Sequence, residues 1–183
     1  DDVQEYGCGA LSNLAVNNDK NRVTIAAEGG ITLILSAMKT HSSNFCVQEA
    51  GCRALIVLSS NNDNNKVTIA EAEGITTILS AMKTHSFNSK VQYLCCAALS
   101  NLADNNENNK VMIAAAGGIS TIVFVMNNHS SNMDVQHFGC AALQNLAYKN
   151  DNYQAMISNA GGKVAIESAL PKCKKQVYEH FAY

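Results

Sequence analysis

From Val47 to Ser60, apolar or small residues fall at Val47, Gly51, Ala54, Leu55 and Leu58. That i, i+4, i+7, i+8, i+11 spacing marks one buried face of a helix. A polar stretch follows, Asn61-Asn62-Asp63-Asn64-Asn65, and then a short helix carrying Val67, Ile69 and Ala70. Gly74 is expected to close it, because glycine adopts the left-handed conformation of helix ends at no steric cost. A further helix, from Ile75 to Lys83, presents Ile75, Ile78, Leu79 and Met82 to a core. Asn44, Asn88 and Asn132 each stand three residues before the valine that opens the long helix. An asparagine there can cap the unpaired first-turn N–H groups. Strand-like alternation is absent.

The whole pattern returns every 44 residues without slippage. Val3-Gln4 recurs as Val47-Gln48, Val91-Gln92 and Val135-Gln136, and Leu11 and Leu14 recur as Leu55 and Leu58, Leu99 and Leu102, Leu143 and Leu146. Ile25 returns at Ile69, Ile113 and Ile157, and Gly30 at Gly74, Gly118 and Gly162. Between 18–44 and 62–88, 20 of 27 positions are identical, which excludes coincidence. A 44-residue unit of three helices cannot bury its apolar faces alone, so neighbouring units must stack to form one continuous core.

The segment from Val91-Gln92-Tyr93-Leu94 through Ala98-Leu99-Ser100-Asn101-Leu102-Ala103 resembles the third-helix signature of the armadillo family. Asn106, Asn109 and Ile113 with Gly117-Gly118-Ile119 resemble its first and second helices. The resemblance covers nearly the whole chain and implies an all-α fold, a right-handed α-α superhelix with three helices per 44-residue repeat. It also implies a concave groove lined by third helices, and a scaffold role for extended partner segments. One armadillo-repeat domain is expected over 1–183, about four repeats beginning within a third helix. The register slips near the end, where Val177 arrives two residues early, so 171–183 is expected to be a partial or capping unit. The chain opens inside a repeat and without methionine, and is expected to be part of a longer array. In the peptide-reading branch typified by importin-α, a groove Trp precedes a groove Asn by four residues. The Asn is matched by Asn13, Asn101 and Asn145 and replaced by Val57, whereas the Trp position holds Gly9, Arg53, Ala97 and Ala141. Slots for lysine side chains are therefore not expected.

A helical wheel locates the open face independently. With Arg53 at zero and about 100° per residue, Val47, Gly51, Leu55 and Leu58 gather on one side, and Glu49, Ala50, Arg53, Val57 and Ser60 on the other. Core positions barely change between copies, but the opposite face does: Glu5, Glu49, Tyr93, His137; then Tyr6, Ala50, Leu94, Phe138; then Val16, Ser60, Asp104, Tyr148. Neutral drift on a solvated face explains part of this. Aromatics there favour an interface, since rigid rings are typical anchors. The candidate groove comprises Asn13, Glu49, Arg53, Tyr93, Leu94, Asn101, Asp104, His137, Phe138, Asn145 and Tyr148, with the asparagine amides gripping an extended backbone.

Composition narrows the function further. Hydrophobic residues form 47% of the chain and charged ones 15%, enough apolar material for a core, and the single proline permits long helices. A formal charge of −2 without a basic stripe argues against nucleic acid. Lys172-Cys173-Lys174-Lys175 reads as a solvated helix end. No apolar run reaches the roughly 20 residues of a membrane span, and no signal peptide is visible at the start.

Cys8, Cys52, Cys96 and Cys140 hold one core position in successive copies. Packed helices lie about 8–10 Å apart, too far for the roughly 4.4–6.8 Å Cα separation of a disulfide. Free thiols in a reducing compartment are expected, the cytoplasm first and the nucleus compatible. His137 and Cys140 share one helical turn, but no second ligand pair accompanies them. His41, His85 and His129 suit the negative ends of the second helices. No nucleophile–base–acid set or phosphate loop recurs, so neither catalysis nor a cofactor or metal is expected. The expected partner is a protein or peptide. The alternative is a structural spacer, or an array that self-associates end to end.

Overall fold

The computed structural model describes residues 1–169 as α-helices joined by short turns, with no strand among them. The helices are α1 (Asp2–Ala15), α2 (Asp19–Ala27), α3 (Gly30–Thr40), α4 (Phe45–Ser59), α5 (Asp63–Glu71) and α6 (Gly74–Thr84). They continue as α7 (Ser89–Ala103), α8 (Glu107–Ala115), α9 (Gly118–Asn128), α10 (Met133–Ala147), α11 (Asp151–Asn159) and α12 (Gly162–Ala169). The long third-type helices α1, α4, α7 and α10 pack side by side in one row, and the second-type helices α3, α6, α9 and α12 in another. The result is an α-solenoid. The unit expected over 171–183 lies outside the described residues.

The core runs between these rows. Ile31, Ile34, Leu35 and Met38 of α3 pack in one core with Val47, Leu55 and Leu58 of α4, all buried, and the set repeats 44 and 88 residues later, with Val123 in the place of Leu35. Each such aliphatic side chain contributes roughly 1.5–3 kcal/mol on burial. Glycines fix the spacing where backbones approach. A Cβ on Gly74 would lie 2.5 Å from Ile69 Cγ2, and Gly118 meets Ile113 at the same distance. This corrects the expectation for Gly74, which opens α6 rather than closing α5. The left-handed residue is the one before it, Glu73 (φ 64°), where the other copies place Gly29, Gly117 and Gly161. Lys39 Nζ reaches the Glu73 carboxylate at 2.6 Å and holds its pKa below the ordinary value, chiefly through this hydrogen bond.

Polar side chains tie successive helices at the same period. Asn44 and Asn88 each accept from two first-turn N–H groups of their long helices, and Asn132 accepts from Val135 N, as the spacing predicts. Asn18, Asn62, Asn106 and Asn150 cap the short first helices. Buried Gln48, Gln92 and Gln136 donate Nε2 to the last carbonyls of the second helices, at Met38 and His41, Met82 and His85, and Met126 and His129. The methionine carbonyls lie in the last turn, where intrahelical donors run out, and the histidine carbonyls just beyond it also accept from Asn44, Asn88 and Asn132 N. His85 and His129 bridge repeats, each with Nε2 on a serine carbonyl 43 residues earlier, at 2.8 and 2.7 Å. Asn65 and Asn109 do likewise, donating to the carbonyls of Arg22 and Lys66. The period is therefore written in hydrogen bonds as well as in aliphatic packing.

Candidate functional site

Each interior third helix is covered on one side by its own second helix and on both flanks by neighbouring third helices. Only a narrow strip remains open, and the candidate residues divide according to where they stand on it.

At the junction of α1 and α4 the strip opens into a cavity of about 440 Å³, lined by Glu5, Tyr6, Gly9, Ala10, Asn13, Cys46, Glu49, Ala50, Arg53 and Lys90. Glu49 is bound to Lys90 of α7 at 2.6 Å, which raises the lysine pKa above its ordinary value. Arg53 and Asn13 are exposed and have no hydrogen bond or ion pair among the described residues. Burial, followed by Glu5 and Glu49, raises the pKa of the Cys46 thiol. It is not an activated nucleophile. The candidate set drawn from the sequence omitted Glu5, Tyr6 and Lys90. Glu5 and Tyr6 were legible as counterparts of Glu49 and Ala50. Lys90 reaches in from the next repeat, which a wheel of one helix cannot show.

At the junction of α7 and α10 the same strip is filled by its own side chains. Tyr93 stacks on Phe138 with centroids 5.8 Å apart and planes at 24°, and His137 meets Phe138 edge-on at 5.0 Å. All three are half-buried. Leu94, expected on the open face, is only 6% exposed and belongs to the core. The wheel assumed one packed side per helix, whereas α7 is flanked by both α4 and α10.

Asn101 and Asn145 also depart from expectation. Asn101 Nδ2 donates to the Ile56 carbonyl and Ser60 Oγ at 3.2 and 3.4 Å. Asn145 Nδ2 donates to the Ser100 carbonyl and Oγ, both at 3.0 Å. Their donors link adjacent third helices and are not free for a partner backbone; Oδ1 remains as an acceptor. Further along, Asp104 Oδ2 lies 3.5 Å from Lys66 Nζ, and Lys149 Nζ stands 5.1 Å over the ring of Tyr148.

Apart from Cys46, the thiols among the described residues lie in the core. Cys8, Cys46, Cys52, Cys95, Cys96 and Cys140 are free. The thiol that meets Cys52 is Cys95, at 3.5 Å, and not its counterpart Cys96. Burial, with smaller contributions from Cys140 and Cys52, pushes the Cys96 pKa up to about 12, leaving it protonated and inert. Among the described residues no group of three His, Cys, Asp or Glu side chains could hold a metal ion. No single helix among them is long and apolar enough to cross a membrane.

Three crystal structures of engineered proteins share this fold. Two superpose with TM-scores of 0.84 and 0.83 at 25% and 27% identity, each over 96% of this chain and over 69% and 41% of their own. The third gives 0.80 at 24% identity over 94% of this chain and 75% of its own. No curated protein matches the chain. The family described as LRRK2 ARM repeat matches residues 22–177, from within α2 through α12. The chain belongs to that armadillo-repeat family.

Proposed function

We propose that this chain is a protein–protein interaction module that takes an extended partner segment along its row of third helices. The observation that carries this reading is the open α1–α4 junction, where a cavity of about 440 Å³ holds an exposed, unpaired Arg53 beside Asn13, Glu5 and Tyr6. Arg53 offers a bidentate donor fork to a carboxylate or a carbonyl pair. The Asn13 amide can both donate to and accept from a peptide backbone. Tyr6 supplies an exposed ring. Free thiols suit a reducing compartment, which supports a cytoplasmic protein as part of this proposal.

The test is selection of peptides from a random displayed library on the purified chain. Enriched extended peptides whose affinity falls about tenfold or more with Arg53→Ala or Asn13→Ala support the reading. An unenriched library, or affinities indifferent to both changes, rejects it.

A further inference from the structure

Two buried lysines occupy equivalent places one repeat apart, and only one has two carboxylates beside it. Lys66 of α5 and Lys110 of α8 are 4% and 2% exposed. Lys66 Nζ donates to Asp63 Oδ1 and to the Asp104 carbonyl, both at 3.0 Å, and faces a second carboxylate at Asp104 Oδ2, 3.5 Å away. Lys110 Nζ has Glu107 Oε1 at 2.6 Å and the distant Tyr148 carbonyl at 3.5 Å. Shifted by one period, the residue that should supply the second carboxylate is Tyr148. Its ring centroid lies 5.8 Å from the ammonium. An ammonium has three hydrogens to place, and at Lys110 the third direction meets a ring where Lys66 meets a carboxylate.

Beside this deficit a cavity of about 240 Å³ opens, lined by Asp104, Asn105, Lys110, Gln144, Asn145 and Tyr148. It is large enough for one acidic side chain. Its polar groups favour an acceptor. The half-buried Gln144 amide has no hydrogen-bond partner among the described residues, and Lys149, over the Tyr148 ring, has no ion pair there. The resident carboxylate is already engaged on both oxygens: Asn105 Nδ2 donates to Asp104 Oδ1 at 3.2 Å, and Lys66 faces Oδ2.

Resting on the groove reading above, we propose that this cavity is a subsite for an aspartate or glutamate side chain of the bound segment. The incoming carboxylate takes, at Lys110, the place that Asp104 takes at Lys66. Gln144 donates the second hydrogen bond, and Lys149 supplies favourable charge at the rim. The partner is thus an extended peptide with an acid in register with α10.

A random peptide library selected on the native chain is expected to enrich peptides sharing an acid. Changing that acid to its amide should cost about tenfold or more in affinity, the size of one charge-assisted hydrogen bond to a buried partner. Tyr148→Asp supplies the carboxylate from within, as the protein already does at Lys66, so the variant should fold and lose the preference for the acid. Tyr148→Ser removes the ring without adding a carboxylate and should retain the preference. Enriched peptides without a shared acid, or a preference that survives in Tyr148→Asp, overturn the subsite while the groove stands. A preference abolished by Arg53→Ala but untouched by Tyr148→Asp places the acid at the other junction and likewise overturns it. A library with no enrichment on the native chain overturns the groove reading and the subsite together.

Discussion

The α1–α4 and α7–α10 junctions are built from the same positions and end in different surfaces. At the first, Gly9 and Ala50 leave a cavity, and Val57 stands where the later helices carry asparagine. At the second, Phe138 replaces the small residue, stacks on Tyr93, and is braced by His137. Asn145 then bonds across to Ser100 Oγ and its carbonyl. The hydroxyl equivalent to Ser100 at the first junction is Ser12. It is buried with no hydrogen-bond partner, because Val57 cannot reach it with a donor. A single exchange of asparagine for valine therefore removes a rung and leaves a hydroxyl unpaired. Core positions set how repeats stack, and strip positions set whether a junction is sealed or open.

The largest test of this contrast is Phe138→Ala. Removing the half-buried ring deletes the stack on Tyr93 and should open the second junction to resemble the first. The expected loss is about 2–3 kcal/mol, below the full cost of a buried phenylalanine because one edge is already wet. Urea denaturation measures it. A loss under about 0.5 kcal/mol would show that the stack does not hold α7 to α10. Next in size is Asn145→Val, which copies the first junction into the second. It leaves the Ser100 carbonyl and hydroxyl short of a donor, at a cost of about 1–2 kcal/mol. Amide exchange should quicken in α10 before it does in α4, since repeat arrays lose stability locally.

Much of the fold could be read from the chain. The capping asparagines, the aliphatic faces and the row of long helices all follow from spacing within one unit and its return after 44 residues. The buried cations left a trace as well, in Asp19…Arg22, Asp63…Lys66 and Glu107…Lys110, each an acid three residues before a base. Such a pair reads as an ordinary exposed i,i+3 bridge until the next repeat covers it. The strip was less legible because it depends on flanking helices. Leu94 and Phe138 hold one wheel position, yet the first is sealed between α4 and α10 and the second is half-buried on the strip. Asn101 and Asn145 were visible as recurring polar residues, but whether an amide serves a partner or the neighbouring helix depends on an acceptor some 45 residues away. Gln144 and Lys110 meet at a cavity created by what Tyr148 lacks, and a missing carboxylate leaves no pattern in one copy. It emerges only when two junctions are laid side by side.

The converse change, Val57→Asn, should build the missing rung. The new amide is placed to donate to Ser12 Oγ and the Ser12 carbonyl, as Asn145 does to Ser100. Against this stands the lost contact of a half-buried valine, so the net gain is about 0.5–1 kcal/mol.

Ser12→Ala is the smallest change and separates the two junctions most cleanly. A buried hydroxyl without a partner contributes desolvation cost and no hydrogen bond, so its removal should leave stability within about 0.5 kcal/mol of the parent, or raise it. The counterpart Ser100→Ala removes an acceptor that Asn145 uses and should cost about 1 kcal/mol. In the Val57→Asn background the order should change: Ser12→Ala should now be destabilising, because the hydroxyl has gained a donor. The double-mutant cycle of Val57→Asn with Ser12→Ala should therefore show a coupling of about 0.5 kcal/mol or more. Strictly additive effects would mean that the new amide never reaches Ser12, and that the first junction stays open for a reason other than the absent asparagine.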